Sequence, residues 1–198
     1  MADRPDLAAL IGSRICHDLI SPIGAIGNGV ELLALEGSTR GPEMALIAES
    51  VAQANARIRF FRIAFGGADQ DQRISRSEVQ QILAGLTRGG RLVIDWTSPA
   101  DLARAEVKAA FLAIQCLETA LPWGGRIVVE RGETRWTLAA QGRRMRIEPA
   151  TWDLLAAPAP PAGLEPAQVQ FALLPEELAR LGRRLTADLR DTEARLAF

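Results

Sequence analysis

The sequence predicts an α+β fold, with an N-terminal antiparallel helical hairpin followed by an α/β sandwich. Three observations lead there. Two long segments, at about residues 5–36 and 42–65, carry apolar side chains at helical spacing. A run of breakers, Gly37-Ser38-Thr39-Arg40-Gly41-Pro42, separates them. After Gly66-Gly67-Ala68-Asp69-Gln70-Asp71, the pattern changes to short strand-like runs alternating with helical ones. Residues 1–66 are therefore expected to form a helical hairpin domain, and residues 72–198 a separate α/β domain.

The first helix is expected to start where Asp3 or Arg4 precedes Pro5, since proline suits a first helical turn. At about 100° per residue, Ile11, Ile15, Leu19, Ile26, Val30 and Leu33 share one sector. His17 falls roughly opposite and so is expected to point outward. Its neighbours on that face, Ser13, Ser21, Gly24 and Asn28, are small. In the second helix Ile47, Val51, Ala54, Ile58, Phe61 and Phe65 step by four and three in turn, the spacing of a coiled-coil seam. A lone hairpin cannot enclose both stripes. Two hairpins can close a four-helix bundle, so a homodimer is expected.

Further along, residues 78–86 read as a short helix capped by Ser77, and residues 91–96 as a strand. Residues 102–121 read as a helix with Val107, Ala110, Phe111, Ile114 and Leu117 on one face. Pro122-Trp123-Gly124-Gly125 should end it. Residues 126–130, 134–140 and 144–147 read as consecutive strands. The proline-rich run at 156–163 reads as a surface loop. A helix follows at about 166–181, expected to be interrupted at Pro175. Residues 185–189 and 194–198 read as a terminal hairpin.

Composition narrows the function. The 198 residues are 48% apolar with a net charge of −1, which gives no bulk signal for nucleic acid or an anionic membrane. Cys16 and Cys116 show no ligand spacing, and with one histidine in the chain a zinc site is not expected. The opening Met-Ala-Asp-Arg-Pro-Asp is not a signal peptide, and no apolar run approaches membrane-spanning length. A cytoplasmic location is expected.

His17 is the only histidine. An imidazole can accept a phosphoryl group at nitrogen and pass it on near neutral pH. Pro22 follows five residues later. Inside a helix it lacks an N–H and conflicts with the carbonyl of Asp18, at a cost of about 3 kcal/mol. Such a cost beside a histidine suggests a kink kept for function. The alternative is that Ser21 caps a new helix beginning at Pro22. The order His17-Asp18-Leu19-Ile20-Ser21-Pro22-Ile23 resembles the H-box of two-component histidine kinases. Arg14, three residues earlier, is placed to stabilise a phosphoryl group or else to be an ordinary solvated arginine. Asp18 does not share His17's face, so it would orient the ring only through a bent backbone. The exposed strip Leu10, Ser13, Arg14, Ile20, Ser21 and Gly24 is the expected docking surface. The alternative for Leu10 and Ile20 is packing under the second domain.

Kinases of this type bind Mg²⁺-ATP through an Asn-x-x-x-Asn motif and Gly-rich segments. Here the only asparagines are Asn28 and Asn55, both in the hairpin; Asp-x-Gly-x-Gly does not occur, and the one Gly-x-Gly, Gly27-Asn28-Gly29, lies in the hairpin and not in the second half. There is no P-loop. Over nearly its whole length the chain resembles the ChpT family of bacterial histidine phosphotransferases. The resemblance is carried by Leu7-Ala8-Ala9-Leu10 through Ile26, by Gly27-Asn28-Gly29-Val30-Glu31-Leu32-Leu33, and by Leu121-Pro122-Trp123-Gly124-Gly125-Arg126-Ile127. It implies a dimeric four-helix bundle carrying a degenerate histidine-kinase ATPase-like sandwich. It also implies a phosphotransferase that serves as a relay intermediate, with no ATP-dependent kinase activity. His17 would be the phosphorylated residue, with Arg14, Asp18, Ser21 and Pro22 in support. The donor would be the receiver domain of a CckA-type hybrid histidine kinase, and the acceptors response regulators of the CtrA or CpdR type. The chain would bind no cofactor of its own, and Mg²⁺ would come with the receiver. The alternative is a pseudokinase scaffold that holds receivers without being phosphorylated. An active kinase is disfavoured by the missing ATP ligands.

Overall fold

The Asp6 carboxylate accepts hydrogen bonds from the amides of Ala8 and Ala9, at 3.0 and 3.1 Å, and so caps the start of α1 (Leu7–Glu36). The helix thus begins two residues after Pro5. The computed structural model describes residues 5–36, 41–69 and 71–198. The expected cap at Asp3 or Arg4, residues 37–40 of the expected turn, and Gln70 of the linker lie outside the described residues. Pro22 sits inside α1 without ending it, so Ser21 does not cap a new helix.

Pro42, at the first position after Gly41, opens α2 (Pro42–Ala64). The two helices pack as a hairpin. Gly29 is buried at their contact, where a Cβ would stand 2.5 Å from Ile47 Cγ1. Only glycine lets the helices approach that closely. The predicted stripes divide in a way the periodicity did not show. Ile11, Ile15, Leu19, Ile26 and Leu33 are half-buried, and Val30 is exposed. On α2, Phe61 is buried and Ile47, Ala54 and Phe65 are half-buried, while Val51 and Ile58 stay 41% and 49% exposed. Phe60, Ile63 and Ala64, outside the predicted seam, are also buried. The last turns of α2 thus serve two surfaces, because the second half of the chain covers the side that the seam does not.

The strand β1 (Arg73–Ser75) is short and was not expected. It leads into α3 (Arg76–Thr87), whose cap is Ser75 rather than Ser77, with Ser75 Oγ accepting from the Glu78 amide at 3.2 Å. Ser77 Oγ instead lies 3.0 Å from Ser75 Oγ. Next come β2 (Leu92–Thr97) and β3 (Asp101–Ala103). β3 pairs antiparallel with β1, so the predicted start of the following helix at residue 102 is strand. The helix itself is α4 (Arg104–Ala120).

The main sheet adds β4 (Gly125–Arg131), β5 (Trp136–Gln141), β6 (Thr186–Leu189) and β7 (Glu193–Ala197), in the order β2-β4-β5-β7-β6. β2 and β4 are parallel, joined by the α4 crossover, and the other pairs are antiparallel. The predicted strand at 144–147 does not form. The free edge of β5 is taken by β7, in the register Thr137↔Ala197, and the Arg146 amide bonds to the Ala120 carbonyl at 3.0 Å. That segment runs instead into a short α5 (Pro149–Trp152) and a 3₁₀ turn at Asp153–Leu155. The proline-rich run is irregular, as expected. A 3₁₀ turn at Pro166–Gln168 then starts α6 (Val169–Arg180), which continues through Pro175.

α4 was expected to bury one face, yet every residue from Val107 to Leu117 is buried. It lies between the sheet on one side and α2 and α6 on the other. Aromatic rings run through it: Phe60 of α2 stacks on Phe111 at 4.5 Å, Phe111 meets Trp96 of β2 at 6.0 Å, and Trp96 meets Trp136 of β5 at 5.2 Å. The hairpin is thereby joined to the sandwich through one continuous core. Pairs of this kind add about 0.5–1.5 kcal/mol each beyond their buried area.

Candidate functional site

Helix α1 carries His17 on the side away from its half-buried stripe, and the imidazole is 84% exposed. Its Nδ1 lies 3.3 Å from Asp18 Oδ1. The carboxylate of the next residue thus reaches the ring although α1 remains helical there, where the sequence had suggested that a bent backbone was needed. Asp18 is itself 14% exposed, and its Oδ2 accepts from Arg14 Nε at 3.1 Å, one turn back. Arg14 also donates through Nη1 to the Ala167 carbonyl at 3.0 Å and to Gln170 Oε1 at 3.2 Å. Gln170 is buried, and its Nε2 donates to the Ala167 carbonyl at 2.8 Å. A continuous polar chain therefore runs from His17 through Asp18 and Arg14 to the start of α6.

This arrangement assigns Arg14 a place that neither sequence reading foresaw. Its guanidinium is 15% exposed and turned toward the second half of the chain. Of the other expected docking residues, Ser13, Ile20, Ser21 and Gly24 are exposed, with Ile20 at 68%, and Leu10 is half-buried. Pro22 is half-buried.

Beside His17 opens a cleft of about 360 Å³. Its walls are Arg14, His17, Asp18 and Ser21 from α1, Arg57 from α2, and Gln115, Glu118 and Thr119 from α4. Burial pushes the Glu118 carboxyl above its usual range, while the charges of Arg57 and Arg14 pull it down and Asp18 adds a smaller push upward. Sequence reading missed Arg57, Gln115, Glu118, Thr119 and Gln170. The one available signal was Gln115, a polar residue between Ile114 and Cys116 in an otherwise apolar run. Among the described residues no group of His, Cys, Asp and Glu side chains is placed to hold a metal ion. No described helix is long and apolar enough to cross a membrane.

Three comparisons bear on this geometry. Residues 76–193 match the family described as the histidine phosphotransferase C-terminal domain. The chain is 36% identical over 194 residues to the protein phosphotransferase ChpT of Brucella abortus (strain 2308), covering 94% of this chain and 92% of that one. It is also similar to a solved bacterial phosphotransferase structure, with 31% identity and a TM-score of 0.81 over 97% of this chain and 95% of the other.

Proposed function

The chain belongs to the ChpT family of histidine phosphotransferases, and on that premise we propose that Nε2 of His17 carries the phosphoryl group between receiver aspartates. The observation that carries this reading is the ring itself, 84% exposed, with Nδ1 against Asp18 and no hydrogen bond to Nε2 among the described residues. In the forward step the Nε2 lone pair attacks the phosphorus of an aspartyl phosphate. A P–N bond forms, the P–O bond to the aspartate breaks, and the aspartate leaves as a carboxylate. The Nδ1 proton stays on the side of Asp18, whose negative charge offsets the positive charge developing on the ring. The reverse step loads the next aspartate. Phosphoryl transfer depends chiefly on in-line positioning and charge stabilisation. The Asp18–Arg14–Gln170 chain supports it by fixing the ring's orientation.

The partner supplies the aspartate and the Mg²⁺. The exposed strip Ser13, Ile20, Ser21 and Gly24, with Leu10 at its edge, is where we dock it. By family resemblance the donor is the receiver of a CckA-type hybrid kinase, and the acceptors are regulators of the CtrA or CpdR type. The exchange takes place in the cytoplasm.

The reading includes a homodimer. Ile23 and Val30 on α1 are 58% and 53% exposed, and Met44, Val51 and Ile58 on α2 are 43%, 41% and 49% exposed. Each set follows a seam spacing. In an antiparallel hairpin whose helices meet near Gly29 and Ile47, both sets fall on one side, opposite the sandwich. Such a continuous apolar face is what a second hairpin covers in a four-helix bundle.

The test is label transfer. With a phosphorylated receiver and Mg²⁺, the protein should acquire an acid-labile, base-stable phosphate, and His17→Ala should not. Labelling that persists in His17→Ala would sink the assignment. Receiver binding by an unlabelled wild type would instead support the scaffold alternative.

A further inference from the structure

We infer that Arg57, with Gln115 beside it, forms a binding site for the phosphoryl oxygens once the group sits on His17. This inference rests on the reading of His17 as the phosphorylated residue. It assigns a function to two side chains in the cleft that have no hydrogen-bond or ion-pair partner among the described residues.

Arg57 is placed by helix register. The contact of Gly29 with Ile47 aligns the antiparallel helices. Counting ten residues from that contact along each helix brings Arg57 level with Leu19, less than one turn from His17. The guanidinium lies 5.9 Å from the centroid of the Phe61 ring, so it leans along α2 toward the level of His17. Among the described residues no acid lies within ion-pair distance of it and no hydrogen bond fixes it. Arg14 differs, since its Nε is bonded to Asp18 and its Nη1 to Ala167 and Gln170. The cleft thus holds one committed guanidinium and one uncommitted one.

Gln115 gives a second and independent sign. It is 1% exposed, and neither its Oε1 nor its Nε2 has a partner among the described residues. An unpartnered buried amide costs free energy unless something meets it. Gln115 lines the cleft that His17 and Arg57 line. Glu118, from the same wall, is the acid of the cleft nearest in α4 to Gln115, and among the described residues it forms no ion pair with Arg57. Burial pushes its carboxyl up while the charges of Arg57 and Arg14 pull it down. A phosphoryl group on Nε2 presents charged oxygens that a guanidinium and an amide N–H both suit. Neither residue makes or breaks a covalent bond. Both stabilise the charge of the group in transit.

A small phosphodonor separates this role from receiver docking. With phosphoramidate, the donor P–N bond breaks, ammonia leaves, and the phosphoryl group passes to His17 with no protein partner present. Wild-type protein, Arg57→Gln, Arg57→Lys and Gln115→Leu would be compared, each checked for native circular dichroism. Arg57→Gln should slow labelling of His17 about tenfold or more, and Arg57→Lys should recover part of the rate. Gln115→Leu should raise the melting temperature, because it removes an unmet amide, and should still slow labelling severalfold. A purely structural Gln115 would raise the melting temperature and leave labelling unchanged, which overturns its part. A folded Arg57→Gln labelled at the wild-type rate by phosphoramidate overturns the inference. A loss seen only with a receiver donor also overturns it, since Arg57 would then be a docking residue. A wild type that takes no label on His17 from either donor overturns the underlying reading of His17 itself.

Discussion

Ile58→Glu tests the homodimer most directly. Ile58 is 49% exposed in the single chain, so a glutamate there can reach water as long as the chain stays alone. In a bundle it cannot. Full burial of such a side chain is worth about 1.5–3 kcal/mol, and the dimer would supply roughly half of that, near 1 kcal/mol per chain. The buried carboxylate adds a desolvation penalty of several kcal/mol per chain. Arg62 lies one turn on and is exposed. An i,i+4 pair with it returns only about 0.3–0.5 kcal/mol. Two copies of the change therefore weaken the dimer by at least about 4 kcal/mol, roughly a thousandfold in dissociation constant. Sedimentation equilibrium from about 0.1 to about 100 micromolar, three orders of magnitude to match a roughly thousandfold shift, measures this. Far-ultraviolet circular dichroism in parallel shows whether the monomer stays helical. A variant that remains as dimeric as the wild type would refute the placement of Ile58. A wild type that is monomeric at tens of micromolar would refute the bundle.

Three further outcomes are expected. Lys108 and Glu177 form a buried ion pair at 2.8 Å, with side chains 10% and 7% exposed. Glu177→Leu should lower stability by about 3–5 kcal/mol in urea unfolding, and Lys108→Met combined with Glu177→Leu should cost far less, so an equal cost for both would refute the pairing. Burial alone would push Glu106 up, but hydrogen bonding from Arg131 and the charges of Arg183 and Arg131, helped by Trp136, bring it below its usual 4.5. Its contribution to stability is therefore present above pH 4.5 and lost as pH falls through the lowered value. Glu106→Gln should cost about 1–3 kcal/mol at pH 7, and the gap to wild type should close in acid. A gap that widens in acid would overturn the assignment. Calorimetry with Mg²⁺-ATP should show no binding. Micromolar affinity would restore the kinase reading.

By itself the sequence determined the features that depend on local pattern. Helical spacing marked both arms of the hairpin, and the lone His17 in its His-Asp-x-x-Ser-Pro setting marked the candidate site and its outward face. Strand-like runs and turn residues located β2, β4, β5 and the terminal hairpin to within a few residues. The features it missed depend on neighbours distant in the chain. Residues 144–147 looked like a strand, but pairing is a competition for a sheet edge, and β7 occupies that edge. α4 looked one-sided because periodicity reports a helix's own faces and not what covers them. Arg14 could be read as a phosphoryl-stabilising or as a solvated cation, and only the fold shows Ala167 and Gln170, more than 150 residues later, holding it. Arg57 and Gln115 were unremarkable until the hairpin register and the position of α4 brought them beside His17. The chemistry of single residues is local and therefore legible in the sequence. The surroundings that direct it are set by long-range packing, and only the tertiary structure decides them.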